Sequence, residues 1–264
     1  MSEQRDTGQW SGPAYAGHAD HHRALDEWFL DRLRPDADSV VVDLGSGSGE
    51  FTARIAELVP DGRAIGVEPD PSMLQAARRH VGQNLQFVDA SAEEVDQVID
   101  EASVDLVVSR AMLHWLPVSS YPRIFDAARR VLRPGGWFHS ESAGAGNVPR
   151  VIDLLTDLAA RFGVPMAPAF PDAGAVFEQV EQAGFEIPVD GVRTVAQRRP
   201  FTEHEMIGFL RTQATVALTR ATSEDTGDAI VQAAIADVDR LRRFDGTYDQ
   251  TFVRLEILAQ RPSR

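Results

Sequence analysis

The sequence contains no lysine and no cysteine. All 26 basic residues are arginine, against 40 acidic residues, and the formal net charge is −14. Without cysteine, the chain has no disulfide framework, no thiolate nucleophile and no zinc-finger or iron–sulfur site. Without lysine, it has no Schiff-base nucleophile, no anchor for pyridoxal phosphate and no Walker-type phosphate loop.

Long apolar runs are also absent, since none approaches the roughly 20 residues that span a bilayer. The segment Met1–Trp10 is polar, which is not typical of a secretory signal. The acidic balance argues against duplex nucleic acid, whose binding proteins present a basic stripe. These absences predict a cytoplasmic protein that binds neither membranes nor duplex nucleic acid, and they leave its oligomeric state open.

The residues that are present alternate between strand and helix patterns. Ser39–Leu44 is short, β-branched and continuous, as in a strand buried on both faces of a parallel sheet. Further strands are predicted at Arg63–Val67, Leu85–Val88, Val104–Ser109 and Trp137–Glu141, with helices of about ten residues between them. This order predicts right-handed βαβ units and an α/β fold with a doubly wound, mostly parallel sheet.

The rhythm changes after Ser142. Helices are predicted near Pro149–Phe162, Ala173–Ala183 and throughout Thr202–Arg243, with strands at about Gly191–Arg198 and Thr251–Ala259 and an N-terminal helix at Ala19–Leu33. We predict a single domain over residues 1–264 with a cofactor-binding core at about 35–145. Helical elements at about 146–170 and 202–243 are predicted to form a lid over the carboxyl edge of the sheet.

A glycine-rich turn, Asp43–Gly49, follows the first predicted strand and precedes a helix. Glycines allow a tight turn and a close approach of ligand to backbone, and the helix N-terminus offers free N–H groups to an anionic group. Such a turn alone is weak evidence, because sharp bends also use glycine. Glu68 adds to it, since an acid about 20 residues after the loop can accept hydrogen bonds from ribose hydroxyls.

Two acids argue against a dinucleotide at this loop. Glu50 stands where the nicotinamide fingerprint has glycine or alanine, and Asp43 and Glu50 together place negative charge around the turn. A ligand with an ammonium group, a carboxylate and a ribose fits better, and S-adenosylmethionine is such a ligand. Asp43 would attract its amino end.

Five segments resemble the motifs of the class I S-adenosylmethionine-dependent methyltransferases, in order and spacing over residues 38–142. They are Val41–Gly49, Gly66–Asp70, Phe87–Ala90, Asp105–Arg110 and Arg130–Gly136. The resemblance implies a seven-stranded Rossmann-like sheet with S-adenosyl-L-methionine as cofactor. It implies cofactor binding by Asp43, Gly45, Ser46, Gly47, Glu68, Pro69, Met73, Asp89, Ala90 and Ser109. The alternative role of Asp89 is to cap the helix after the third strand, and the alternative role of Met73 is to pack in the core.

The segment Ser109–Leu116 looks like the trans-aconitate methyltransferase-like branch, which acts on small molecules. We predict that His114 is a general base, because its unperturbed pKa near 6.5 suits proton removal at neutral pH. Tyr15, His18, Arg110, His114 and Trp115 are predicted to bind the substrate, which carries a carboxylate in one interpretation. Packing of His114 beside Trp115 is the alternative.

Other arginine and histidine groups have weaker assignments. Six arginines near the predicted lid are predicted either to bind an acidic substrate or to form a solvated surface: Arg193, Arg198, Arg199, Arg240, Arg242 and Arg243. His18 and His22 have the spacing of a metal pair, but no third ligand motif is evident, and no metal is predicted.

The expected function is transfer of a methyl group to an oxygen, nitrogen or carbon nucleophile of a small molecule. One alternative keeps the cofactor but changes the chemistry to a rearrangement or cyclisation. Another is a non-catalytic cofactor-binding module, and a nicotinamide oxidoreductase is third.

Overall fold

A seven-stranded sheet runs through the part of the chain that the computed structural model describes, which is residues 27–263 without positions 28, 33, 167–168 and 221. Its spatial order is β3-β2-β1-β4-β5-β7-β6. The strands are β1 (Val40–Leu44), β2 (Arg63–Glu68), β3 (Leu85–Asp89), β4 (Val104–Arg110), β5 (Leu132–Ala143), β6 (Val192–Arg199) and β7 (Gln250–Gln260). The pairs among β1 to β5 are parallel, whereas β7 runs antiparallel to β5. The predicted doubly wound, mostly parallel sheet is confirmed.

Helices connect the strands in the alternating order that the sequence predicts. They are α1 (Glu50–Leu58), α2 (Pro71–Ala77), α3 (Val95–Val98), α4 (Tyr121–Val131), α5 (Pro149–Phe162), α6 (Ala173–Gln182), α7 (Glu203–Phe209), α8 (Val216–Thr219) and α9 (Glu224–Ala236). A π-helix, Leu210–Ala214, joins α7 to α8, and residues 29–32 are also helical. No helix in this part of the chain combines the length and apolar character that a bilayer crossing requires.

The central strands are apolar on both faces because their side chains alternate between two buried clusters. Val42 and Val107 belong to the cluster on one face, whereas Val41 and Val108 belong to the cluster on the other. A strand that is covered by helices on both faces has a continuous apolar sequence, which explains the composition of β1.

A bulge in β5 sets the register at the carboxyl end of the sheet. Val104 pairs with Leu132, but Leu106 pairs with Trp137, so residues 133–136 have no counterparts on β4. Gly135, with φ of +80°, lies in this bulge. As a result, the last residue of β4, Arg110, lies in register with Glu141, and β5 continues for two more residues to Ala143.

The described residues group into two compact units. One contains residues up to 145, 170–195 and 254–263, with most of the sheet, and the other contains 146–169 and 196–253. In the second unit, α5, α7 and α9 pack around a core that includes Leu154, Met206 and Ile230. The position of these helices as a lid stays a prediction.

Candidate active site

The glycine loop after β1 forms a backbone cradle. Gly45, Gly47 and Gly49 have φ angles of +72°, +54° and +88°, a left-handed conformation that glycine adopts without the steric cost of a Cβ. The N–H groups of Gly45 and Ser46 both donate to the Val67 carbonyl, at 2.8 and 3.1 Å, and tie the loop to the end of β2. Among the described residues, no atom lies within 4 Å of the position of a Cβ on Gly47, so these residues leave the backbone open to a ligand.

The carboxylate of Glu68 joins the end of β2 to this loop. Its Oε2 accepts a hydrogen bond from the Gly47 N–H at 3.0 Å, and its Oε1 accepts one from the Asp70 N–H at 2.9 Å. The loop and the acid, 21 residues apart in sequence, are therefore in direct contact.

Asp43 links β1 to the helix that follows the loop. Its side chain is 2% exposed, and its Oδ2 accepts a hydrogen bond from the Thr52 hydroxyl in α1 at 2.6 Å. Glu50 begins α1 and pairs with Arg79. Burial alone would raise the pKa of Glu50, but the Ser48 hydroxyl and the Arg79 guanidinium hold it below its ordinary value. Sequence reasoning did not identify Thr52, because a threonine within an amphipathic helix carries no signal of its partner.

The other residues predicted to bind the cofactor lie around the ends of β2 and β3. Asp89 is opposite Glu68 in the parallel register and is exposed, and the helix cap considered as its alternative is not formed. Met73 is buried, and its N–H donates to the Asp70 carboxylate that caps α2. Pro69 is exposed, whereas Ser46 and Ala90 are buried. Their contacts with a cofactor stay predictions.

Ser109 and Arg110 end β4 beside the corresponding residues of β5. Ser109 is fully buried and lies in register with Ser140, while Arg110 lies in register with Glu141. The Arg110 guanidinium carbon is 5.7 Å from the centroid of the Phe51 ring, a cation–π contact that holds this side chain against α1.

His114 and Trp115 lie in a short 3₁₀ helix, Leu113–Trp115, just after β4. The Nδ1 of His114 accepts a hydrogen bond from the Ala143 N–H, at 3.3 Å, at the end of β5. The His114 and Trp115 rings are 5.1 Å apart, so the predicted packing between them is present. Burial, followed by the charge of Arg254, lowers the pKa of His114 to about 3.

A buried ionic network on β5 and β7 escaped sequence reasoning. Glu256, fully buried, accepts from Arg193 at 2.6 Å, pairs with Arg32 at 2.8 Å and lies 3.3 Å from the His139 ring. Burial alone would raise the pKa of Glu256, but hydrogen bonds from His139 and Arg193 and the charge of Arg32 hold it below its ordinary value. The Phe29 ring stacks on His139 with centroids 3.8 Å apart. The network anchors the helical residues 29–32 to the sheet.

Most arginines that sequence reasoning placed near the predicted lid have acidic or aromatic neighbours. Arg198 pairs with Asp249 at 2.8 Å and Arg240 with Asp157, and the Arg199 guanidinium carbon lies 4.4 Å from the Phe201 ring centroid. Tyr15, His18 and His22 lie outside the described residues.

The sequence pattern of a methyltransferase domain matches residues 41–136, the segment that holds the glycine loop, Glu68 and Arg110. Trans-aconitate 2-methyltransferase of Azoarcus sp. (strain BH72) is 33% identical over 127 residues, which are 48% of this chain and 48% of that protein. Over this segment the chain is similar to methyltransferases. It spans less than two thirds of the length of the first curated methyltransferases it matches, between 46% and 62%.

Solved structures with low sequence identity to this chain show the same architecture. The YcgJ protein of Bacillus subtilis superposes with a TM-score of 0.63 at 16% identity, covering 91% of this chain and 99% of that one. Geranyl diphosphate C-methyltransferase of Streptomyces coelicolor A3(2), in complex with Mg²⁺, geranyl diphosphate and S-adenosyl-L-homocysteine, gives a TM-score of 0.57 at 14% identity. That match covers 94% of this chain and 82% of the Streptomyces chain. These likenesses establish the fold.

Proposed function

We propose that this chain transfers the methyl group of S-adenosylmethionine to a small-molecule acceptor. The observation that carries the proposal is the 3.0 Å contact between the Gly47 N–H and the Glu68 carboxylate. It joins a glycine loop, in which no described atom lies within 4 Å of the Cβ position of Gly47, to an acid at the position that binds ribose hydroxyls in folds of this kind. The methyltransferase domain pattern over residues 41–136 supports the same ligand.

The residues around the loop have the chemistry that this cofactor needs. Glu68 would hold the ribose, the N-terminus of α1 would face the carboxylate, and Asp89 would receive the adenine amino group. When bound, S-adenosylmethionine supplies an electrophilic methyl group on a cationic sulfonium. The chain then has to hold the acceptor in line with that methyl and exclude water, and orientation can lower such a barrier by roughly 7–11 kcal/mol.

The acceptor, in this proposal, carries a carboxylate. Arg110 on β4 lies in register with Glu141, and Arg254 on β7 forms an ion pair with the same glutamate. Arg110 ends the parallel strand β4, and Arg254 on the antiparallel β7 lies opposite Ala143, the last residue of β5. Ligands bind at the carboxyl ends of parallel strands in α/β sheets, and guanidinium groups bind carboxylates through paired N–H donors. The name of the Azoarcus relative gives trans-aconitate, a carboxylate, as its substrate, which supports this assignment.

Calorimetry with S-adenosylmethionine and S-adenosylhomocysteine tests the cofactor. We expect micromolar binding of both, and no binding at millimolar concentration would overturn the proposal. A panel of small carboxylic acids and their matched primary amides, incubated with cofactor that carries a tritiated methyl group, tests the acceptor. Label is expected in the acids, as base-labile methyl esters. Label only in the amides or in amines would overturn the carboxylate assignment and keep the methyl transfer.

A further inference from the structure

The loop after β4 holds His114 in a defined orientation. Ala111 adopts a left-handed φ of 54°, and its N–H donates to the Glu141 carbonyl at 2.7 Å, which turns the chain back toward β5. The 3₁₀ helix that follows places His114 so that its Nδ1 accepts from the Ala143 N–H. Two main-chain hydrogen bonds to β5 thus fix the ring.

The hydrogen bond from Ala143 determines which ring nitrogen carries the proton. A backbone N–H can only donate, so the Nδ1 that receives it must present its lone pair. A neutral imidazole has one protonated and one unprotonated nitrogen, and the proton of His114 is therefore on Nε2. Within the described residues Nε2 has no hydrogen-bond partner, so its N–H group can donate to a ligand.

The surroundings of His114 favour the neutral ring. Trp115 and Phe170 lie beside it, with ring centroids 5.1 and 6.2 Å away, and both are apolar. The charged groups on β5 and β7 that face this region are Glu141 and Arg254, which pair with each other. Burial and then Arg254 lower the pKa of His114 to about 3.

We propose that His114 is a neutral hydrogen-bond donor that orients the acceptor through Nε2–H, and that it does not remove a proton. The proposal rests on the methyl transfer proposed above and assigns a specificity-determining role within that site. It replaces the general base of the sequence-based hypothesis, since the only lone pair of the neutral ring is already engaged by Ala143.

A donor of this kind matches a carboxylate acceptor. One carboxylate oxygen forms the new bond to the methyl carbon while the carbon–sulfur bond breaks. The electron pair of the broken carbon–sulfur bond stays on sulfur. No proton is released, because the acceptor enters as an anion. A general base has nothing to remove, whereas a donor to the second oxygen holds the first one in line.

Magnetic resonance of the whole protein labelled with ¹⁵N-histidine tests the proton's position without cofactor or acceptor. The resonances of His114 are assigned by difference with His114→Gln. We expect the pattern of the neutral ring with hydrogen on Nε2, unchanged between pH 8 and 5. A proton on Nδ1, or protonation of the ring near pH 6.5, would overturn the proposal. Calorimetry with S-adenosylmethionine on the same sample reports separately whether the proposed function stands.

Three variants test the role in the reaction. His114→Gln supplies an amide oxygen for Ala143 and an N–H donor beyond it, whereas His114→Phe keeps a ring without either group. We expect His114→Gln to keep most of the activity and His114→Phe to raise KM by about tenfold or more, the effect of one hydrogen bond to a charged group. His114→Asn, which keeps the acceptor for Ala143 but lacks the reach, should resemble His114→Phe. Equal loss in His114→Gln and His114→Phe, or an acidic limb in the pH profile of the wild type that His114→Gln lacks, would show a base instead.

Discussion

The side chain of Met112 fills the space beside Gly45 into which a Cβ on that glycine would project. Met112 follows β4, and Gly45 opens the glycine loop that follows β1. The loop assigned to the cofactor and the segment that carries His114 are therefore packed against each other. A change at Gly45 is felt by both.

Gly45→Ala is expected to weaken S-adenosylmethionine binding by about tenfold or more, because a left-handed φ costs an alanine roughly 1–2 kcal/mol and the new methyl group displaces Met112. Calorimetry measures the affinity. Gly163→Ala is the matched control, since Gly163 has φ of +66° but nothing within 4 Å of its Cβ position. It should lose stability and leave the affinity intact. If the double variant Gly45→Ala with Met112→Ala recovers part of the affinity, that part of the loss comes from the steric clash with Met112. An unchanged affinity in Gly45→Ala would contradict the assignment of this loop to the cofactor.

Glu68→Gln should weaken cofactor binding at least about tenfold, since one oxygen becomes an amide donor that faces a backbone N–H and can no longer accept from the ribose. Titration calorimetry again provides the measurement. Glu57→Gln, at an exposed position of α1, makes the same chemical change away from the loop and is expected to bind like the wild type. Equal cofactor affinities for the two variants would contradict the assignment of Glu68 to the cofactor site.

Thr52→Val is expected to destabilise the fold by about 1–3 kcal/mol, because the buried Asp43 carboxylate loses a donor at 2.6 Å. Thr52→Ser keeps the hydroxyl and should lose much less. Urea denaturation gives both values. If valine and serine proved equally tolerated, the bond between β1 and α1 would not contribute to stability.

Glu256→Gln should cost more stability than Asp31→Asn. Glu256 is fully buried with two guanidinium partners, and loss of its charge leaves Arg32 and Arg193 partly buried without a counter-ion, at roughly 3 kcal/mol. Asp31 and Arg34 form an exposed pair worth about 0–1 kcal/mol. Denaturation curves of the two variants at pH 7 compare them directly, and a similar loss in both would contradict the role of the buried network.

The free energy of unfolding should fall as pH drops below about 6.5, the ordinary pKa of histidine. Burial lowers the pKa of His139 and of His114, so the folded state takes up protons at these rings at a lower pH than the unfolded chain does. Each group then contributes stability that is complete above pH 6.5 and declines below it, by at most about 1.4 kcal/mol per pH unit. Urea titrations from pH 8 to 5 test this, with a shallower slope expected for His114→Gln. A flat wild-type profile would refute it.

The sheet could be predicted from the sequence because each parallel strand is a short apolar run followed by a helical pattern. The glycine loop and Glu68 could be predicted because they are local patterns at a known spacing. Met112, Thr52 and Glu256 could not, since each acts through a partner that only the folded chain brings near.

The role of His114 shows the same limit. Residue type and an ordinary pKa favoured a base, because sequence carries no information on which ring nitrogen meets the backbone. The Ala143 N–H, 29 positions away, supplies that information. The bulge at residues 133–136 sets this register, in which Glu141 pairs with the last residue of β4, and in the sequence it was visible only as a turn before β5.

The strand order also constrains how the molecule can be assembled. The last strand, β7, lies between β5 and β6, and its partner residues on β5 are more than 100 positions earlier in the chain. During synthesis, the edge of β5 that pairs with β7 therefore has no partner strand until residues 250–260 have left the ribosome. Such an edge is a template for association with other chains. Chaperones should bind, and stalled or truncated chains should aggregate, through the edge of β5. Variants that slow the pairing of β7 should first lower the yield of folded protein.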